Sequence, residues 1–195
     1  MLMGCRKSVN RQPRRAALCS AHAGTIARQR CGRHESALAA LIVAIVGAAT
    51  IAGAWFFELV IKLKPCPMCL EQRIPYYIGI PLAFVVAFAA FRKAPRMVVA
   101  GGLVVLAGLM LWNVYMGVFH AGVEWKWWLG PAECTGTPEF GGAGGFLNRL
   151  QTINITRCDE AAWRFLGLSL AGYNALISAA LAIVALLGAK AAAKR

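Results

Sequence analysis

Four long stretches without a charged residue govern what this 195-residue chain can fold into. They run over 37–57, 74–91, 97–119 and 165–189, with 21, 18, 23 and 25 residues respectively. A helix rises 1.5 Å per residue, so each can cross a hydrocarbon core of about 30 Å, the second only just. A soluble protein would have to bury all four, and the rest of the chain is too short to cover them. The overall composition agrees, with 59% hydrophobic residues and a mean hydropathy of +0.59. The expected fold is an all-α integral membrane protein, an antiparallel four-helix transmembrane bundle over 37–189. Residues 1–36 form a basic, disordered cytoplasmic tail in this reading, and 190–195 a short C-terminal one.

The net charge of +13 first suggests nucleic acid, but its distribution points to a membrane. Eight basic residues precede the first span. Arg92, Lys93 and Arg96 lie between the second and third, and Lys190, Lys194 and Arg195 follow the fourth. Those 14 cations face one acid, Glu35, whereas the opposite side carries seven cations and seven acids. The whole excess therefore falls on one face, which the positive-inside rule makes cytoplasmic. Trp55, Trp125, Trp127, Trp128 and Trp163 fall at the other surface, as an aromatic belt in contact with membrane lipid does. No nucleic-acid partner is expected.

The basic tail is too long and too charged for the start of a simple signal peptide, and no cleavage site follows it. Its Arg-rich, acid-poor character also suits an organellar transit peptide or a mis-assigned start. Two loops face outward, 58–72 and 120–164. The second contains Gly130-Pro131, Thr137-Pro138 and four glycines over 141–145, which mark turns and an expected mobile segment. Within it, Phe146, Leu147, Leu150 and Ile153 share a helical face. That face suits a short helix lying in the membrane surface, or an ordinary loop helix packed on the bundle.

Seven cysteines divide across this topology. Cys5, Cys19 and Cys31 lie in the tail, and their spacings with His22 and His34 match no familiar zinc pattern. Cys66, Cys69, Cys134 and Cys158 lie outside, an even set that suggests two disulfides in an oxidising compartment. Cys66-Pro67-Met68-Cys69 is the sharpest feature. Residues three apart on a helix are within disulfide reach, Pro67 suits a first helical turn, and the unpaired N–H groups there favour a thiolate. An inert staple or half a zinc site is the alternative. A three-residue loop, however, gives a staple little entropy to remove. No second CxxC or metal-spaced His follows, so no metal is expected.

Arg73 stands four residues after Cys69, on the same face of a continuous helix. A cation at the mouth of a span needs a partner, and here it could stabilise a thiolate or bond the oxygen of a quinone. Snorkelling to lipid phosphate is the plainer role. Cys134 and Cys158, 24 residues apart, read equally as a staple or as an exposed, exchangeable disulfide. In the second case the two pairs would form an electron relay.

Three stretches together resemble the DsbB family of bacterial disulfide bond formation proteins. Pro65-Cys66-Pro67-Met68-Cys69-Leu70-Glu71-Gln72-Arg73 is similar to its CxxCxxxR signature. Cys158-Asp-Glu-Ala-Ala-Trp163-Arg-Phe165-Leu166-Gly167-Leu168 resembles the stretch that leads into its last span. His120 through Cys134 is similar to its loop entry. The resemblance covers about 37–189 and implies a thiol:quinone oxidoreductase of the bacterial inner membrane, its active face periplasmic. It implies further that a DsbA-like periplasmic thiol oxidoreductase attacks Cys134, that the released Cys158 turns on Cys66, and that Cys69 lies beside the quinone. Arg73, and less directly His120, would bind that quinone, ubiquinone or menaquinone.

The vitamin K epoxide reductase-like family also sets a CxxC beside a quinone, but there the loop cysteines precede the CxxC, whereas here they follow it. A non-catalytic membrane assembly factor with structural disulfides is the alternative from another class. An ion transporter fits less well, since no acid falls within the four blocks.

Overall fold

The computed structural model describes the backbone of residues 12–131 and 157–193, with side chains from residue 33 onward. The elements run α1 (Gln12–Leu59), α2 (Pro67–Glu71), α3 (Ile74–Phe91), α4 (Arg96–Glu124), β1 (Arg164–Phe165), β2 (Leu168–Ser169) and α5 (Leu170–Ala193). Four of these stretches are long and apolar enough to cross a membrane: Arg33–Leu59, Pro67–Phe91, Arg96–Glu124 and Leu170–Ala193. The protein is a multi-pass helical membrane bundle.

The span helices pack as a ring, α1 on α3, α3 on α4, α4 on α5 and α5 back on α1. The turn at 92–95 makes α3 and α4 adjacent. Inside the ring, small residues let the backbones approach. Ala40, Ala44, Ala83, Ala87 and Ala185 are buried around Leu103, Leu106 and Met110. Large apolar side chains such as Ile45, Phe84, Phe88, Val105, Ile183 and Leu187 point outward, as lipid contact requires. Tyr76, Asn113, Asn174 and Ser178 pair with one another inside the ring. Tyr76 Oη donates to Asn174 Oδ1 at 2.9 Å, and Asn113 Nδ2 donates to Ser178 Oγ at 3.0 Å. Satisfying such groups internally is what a bilayer demands.

Three boundaries differ from the sequence expectations. The backbone of α1 is already helical from Gln12, where Ala, Arg and Gln are good helix formers. The third span continues past 119 to Glu124, which brings an acid into the helix. The last block does not begin as a helix at 165. Leu166 and Gly167 have φ of +48° and +83°, the signature of a two-residue hairpin turn, and Arg164 pairs with Ser169 across it. Ser169 Oγ then accepts the N–H of Gly172 at 3.2 Å and caps α5. Cys134 and the 146–153 segment lie outside the described residues.

Candidate redox site

The site is built where the first outward loop meets α2. Pro67 opens this short helix, and Cys66 stands at its N-cap with extended backbone, its Sγ accepting the Cys69 N–H at 3.2 Å. Both cysteines are free thiols, so the pair is in its dithiol form. A hydrogen bond with Cys69 and burial together push the Cys66 thiol well above the ordinary range.

After Glu71 the chain tightens rather than continuing as one helix. The Arg73 N–H bonds Leu70 O at 3.1 Å, and α3 starts at Ile74. The continuous helix expected from Cys69 to Arg73 is therefore interrupted, and both residues border the same cavity. Arg73 instead donates from Nη1 to Glu58 Oε2 at 2.7 Å, joining the end of α1 to the start of α3.

His120 comes from the far end of α4 and is buried against the pair. Its Nε2 lies 3.6 Å from Cys66 Sγ, and its Nδ1 lies 2.8 Å from Gln72 Nε2. Gln72 Oε1 in turn accepts from Asn174 Nδ2 at 2.8 Å, which links the site to the polar network of α5. Glu124 sits one helical turn beyond His120, its Oε1 3.8 Å from His120 Nε2.

Cys158 is disulfide-bonded and only 1% exposed. Its sulfur is therefore not the exposed one expected of a loop. It packs in one cluster with Cys66 and Met68, flanked by Cys69 and Phe119. Trp163 is stacked on Phe165 and tilted against Phe57 at 5.2 Å.

A cavity of about 300 Å³ opens on the other side of Cys69, among α1, α3 and α5. Ile51, Phe57 and Ile177 supply apolar wall, and Arg73, Gln72 and Asn174 supply polar groups. Of the sequence candidates, Cys66, Cys69, Arg73, His120 and Cys158 are thus assembled within one region. Sequence reasoning missed Glu58, Gln72, Glu124 and Asn174. The i, i+4 spacing of His120 and Glu124 was a usable signal, whereas the pairing of Glu58 with Arg73 had none.

The family described as Disulfide bond formation protein DsbB matches residues 36–188. Curated relatives carry the name Disulfide bond formation protein B. One from Polaromonas sp. (strain JS666 / ATCC BAA-500) is 26% identical, covering 74% of this chain and 85% of its own. One from Marinobacter nauticus is 30% identical, over 74% and 86%. One from Nitrosomonas eutropha is 31% identical, over 74% and 89%. No solved structure gives a significant match.

Proposed function

The chain belongs to the DsbB family, whose members are oxidoreductases of disulfide bond formation, and on that premise we propose a thiol:quinone oxidoreductase. It oxidises a periplasmic DsbA-like dithiol and delivers the electrons to a membrane quinone. The observation that carries this reading is a continuous path of sulfur. The disulfide-bonded Cys158 is buried against Cys66, and Cys69 borders a cavity that also contains Arg73.

The exchange steps balance as follows. A thiolate of the partner attacks Cys134, forming a mixed disulfide and releasing the Cys158 thiolate. The partner's second thiol then displaces Cys134, so the partner leaves as a disulfide and the loop pair as a dithiol. In the oxidised enzyme, Cys158 attacks Cys66 and releases Cys69 as thiolate. Cys134 resolves that bridge, which restores the loop disulfide and leaves Cys66 and Cys69 reduced. Two electrons and two protons have then moved from the partner to the inner pair.

The cavity suits a quinone ring. Quinone oxygens accept hydrogen bonds, and the Arg73 guanidinium offers five N–H donors, of which one is committed to Glu58. The wall residues Ile51, Phe57 and Ile177 would hold the flat apolar ring, and their helices face lipid. Bound quinone would supply a two-electron, two-proton acceptor. Arg73 would orient the ring, Cys69 would meet it, and His120 would hold or pass a proton between Cys66 and Glu124. With the charge asymmetry of the chain, this reading sets the termini in the cytoplasm and the cysteines at the periplasmic face of the inner membrane.

The test is to add the purified protein to a reduced DsbA-like partner and follow thiol loss. Catalytic loss with quinone and at most stoichiometric loss without it supports the proposal. Equal loss in both arms would remove the quinone from it.

A further inference from the structure

Beside the CxxC pair, four side chains that can ligate a metal converge from two parts of the chain. Cys66 Sγ, Cys69 Sγ and a ring nitrogen of His120 lie within 4.8 Å of one another. Cys66 Sγ is 3.6 Å from His120 Nε2, and Glu124 Oε1 is 3.8 Å from the same nitrogen. In a tetrahedral zinc centre, with Zn–S of about 2.3 Å and Zn–N of about 2.0 Å, adjacent ligand atoms stand roughly 3.5–3.8 Å apart. Cys66, Cys69 and His120 are therefore close to that cage, and Glu124 completes it by moving toward the two sulfurs.

Two independent features point to an ion. A void of about 40 Å³ is bordered by all four residues and is distinct from the larger cavity. The Glu124 side chain is 6% exposed; Ser169 and Arg164 act on its carboxylate, yet its Oε2 makes no hydrogen bond among the described residues. A buried carboxylate with an idle oxygen is costly unless a cation or a donor meets it.

We propose that the dithiol form of this protein binds one Zn²⁺ at Cys66, Cys69, His120 and Glu124, and that the ion blocks reoxidation of the pair. The inhibitory part rests on the reading of Cys66 and Cys69 as the redox pair; the binding part does not. Two Zn–S bonds form as two thiol protons leave, and no electron moves. His120 gives its Nε2 lone pair and carries its proton on Nδ1. Gln72 accepts that N–H bond when its amide turns to present Oε1, Asn174 turns with it so that their mutual bond persists, and Tyr76 Oη then accepts from Asn174 Nδ2 while donating to Ser178 Oγ. Such a bond is the usual orienting contact of a metal-bound histidine. The disulfide form offers no thiolate, so it is excluded, and two thiolates with one imidazole favour a thiophilic ion over Mg²⁺ or Ca²⁺.

The experiment uses the full chain in detergent, with Cys5, Cys19, Cys31, Cys134 and Cys158 replaced by Ala so that only the pair remains. The protein is reduced, freed of reductant without oxygen, and titrated with Co²⁺ and then Zn²⁺. One Co²⁺ per chain is expected, with tetrahedral d–d and thiolate charge-transfer absorption that one equivalent of Zn²⁺ abolishes. His120→Ala should weaken uptake at least about tenfold. Oxidising the pair to its disulfide should abolish uptake in the same polypeptide, which controls for folding. No uptake by the reduced protein would overturn the proposal. So would uptake that survives Cys66→Ser with Cys69→Ser, that survives oxidation, or that ignores His120→Ala. Metal uptake is read without quinone or partner, whereas quinone-driven thiol loss in the metal-free sample tests the redox reading. Either can therefore fail alone.

Discussion

Arg73 and Glu58 meet at 2.7 Å across 15 residues of chain, pinning the outer end of α1 to the start of α3 at the edge of the larger cavity. The pair is partly shielded, with side chains 12% and 35% exposed. Arg73 is thus held in place by a carboxylate while other N–H groups of its guanidinium stay available.

Replacing Arg73 by Ala should therefore raise the quinone KM far more than the partner KM. A charge-assisted hydrogen bond lost at this site costs roughly 1.5–3 kcal/mol, or about ten- to hundredfold. Steady-state kinetics with each substrate varied in turn would check it. An unchanged quinone KM would return Arg73 to the role of a lipid anchor clamped by Glu58.

If the proposed relay operates, Cys158→Ala should remove the thiol that turns on Cys66 and leave Cys134 open to capture. A stable mixed disulfide between Cys134 and the partner should accumulate when this variant meets an activated monothiol partner, which has no second thiol to resolve it. Non-reducing electrophoresis with peptide mapping reads it. Adducts forming at normal rates on Cys66 or Cys69, with both loop cysteines absent, would reduce the loop pair to a staple.

At Gly117, α4 approaches α5 closely. A Cβ added there would lie 3.1 Å from both Cα and N of Ala175, which is backbone and cannot rotate away. Gly117→Leu should destabilise the bundle by about 1–3 kcal/mol through overpacking. Gly108→Leu, where a Cβ meets nothing within 4 Å, should leave the unfolding midpoint nearly unchanged. Thermal unfolding in detergent compares the two, and equal midpoints would contradict the packing described here.

The spans were legible because a run without charge is both the chemical requirement for crossing a bilayer and a pattern visible one residue at a time. Cys66, Cys69 and Arg73 were legible because their chemistry is local to eight residues. The start of α5 was not, since Leu166-Gly167 sits in an apolar run and its turn shows only in the backbone angles. The place of His120 was hidden for another reason. A histidine at the end of a span reads as wet, and only the packing of α4 beside α2 buries it 3.6 Å from a sulfur 54 residues away. The bond from Glu58 to Arg73 likewise depends on how α1 and α3 meet.

The central claim is that Cys66 and Cys69 cycle between dithiol and disulfide at the expense of quinone. The most direct measurement is their redox state in native membranes, read by alkylating free thiols with a mass tag in a Cys5, Cys19 and Cys31 replaced background. With quinone present the pair should be mostly disulfide, and in quinone-depleted membranes it should turn to dithiol, then reoxidise when quinone is restored. A pair that keeps one state whatever the quinone supply would contradict the account and leave a membrane protein whose cysteines are structural.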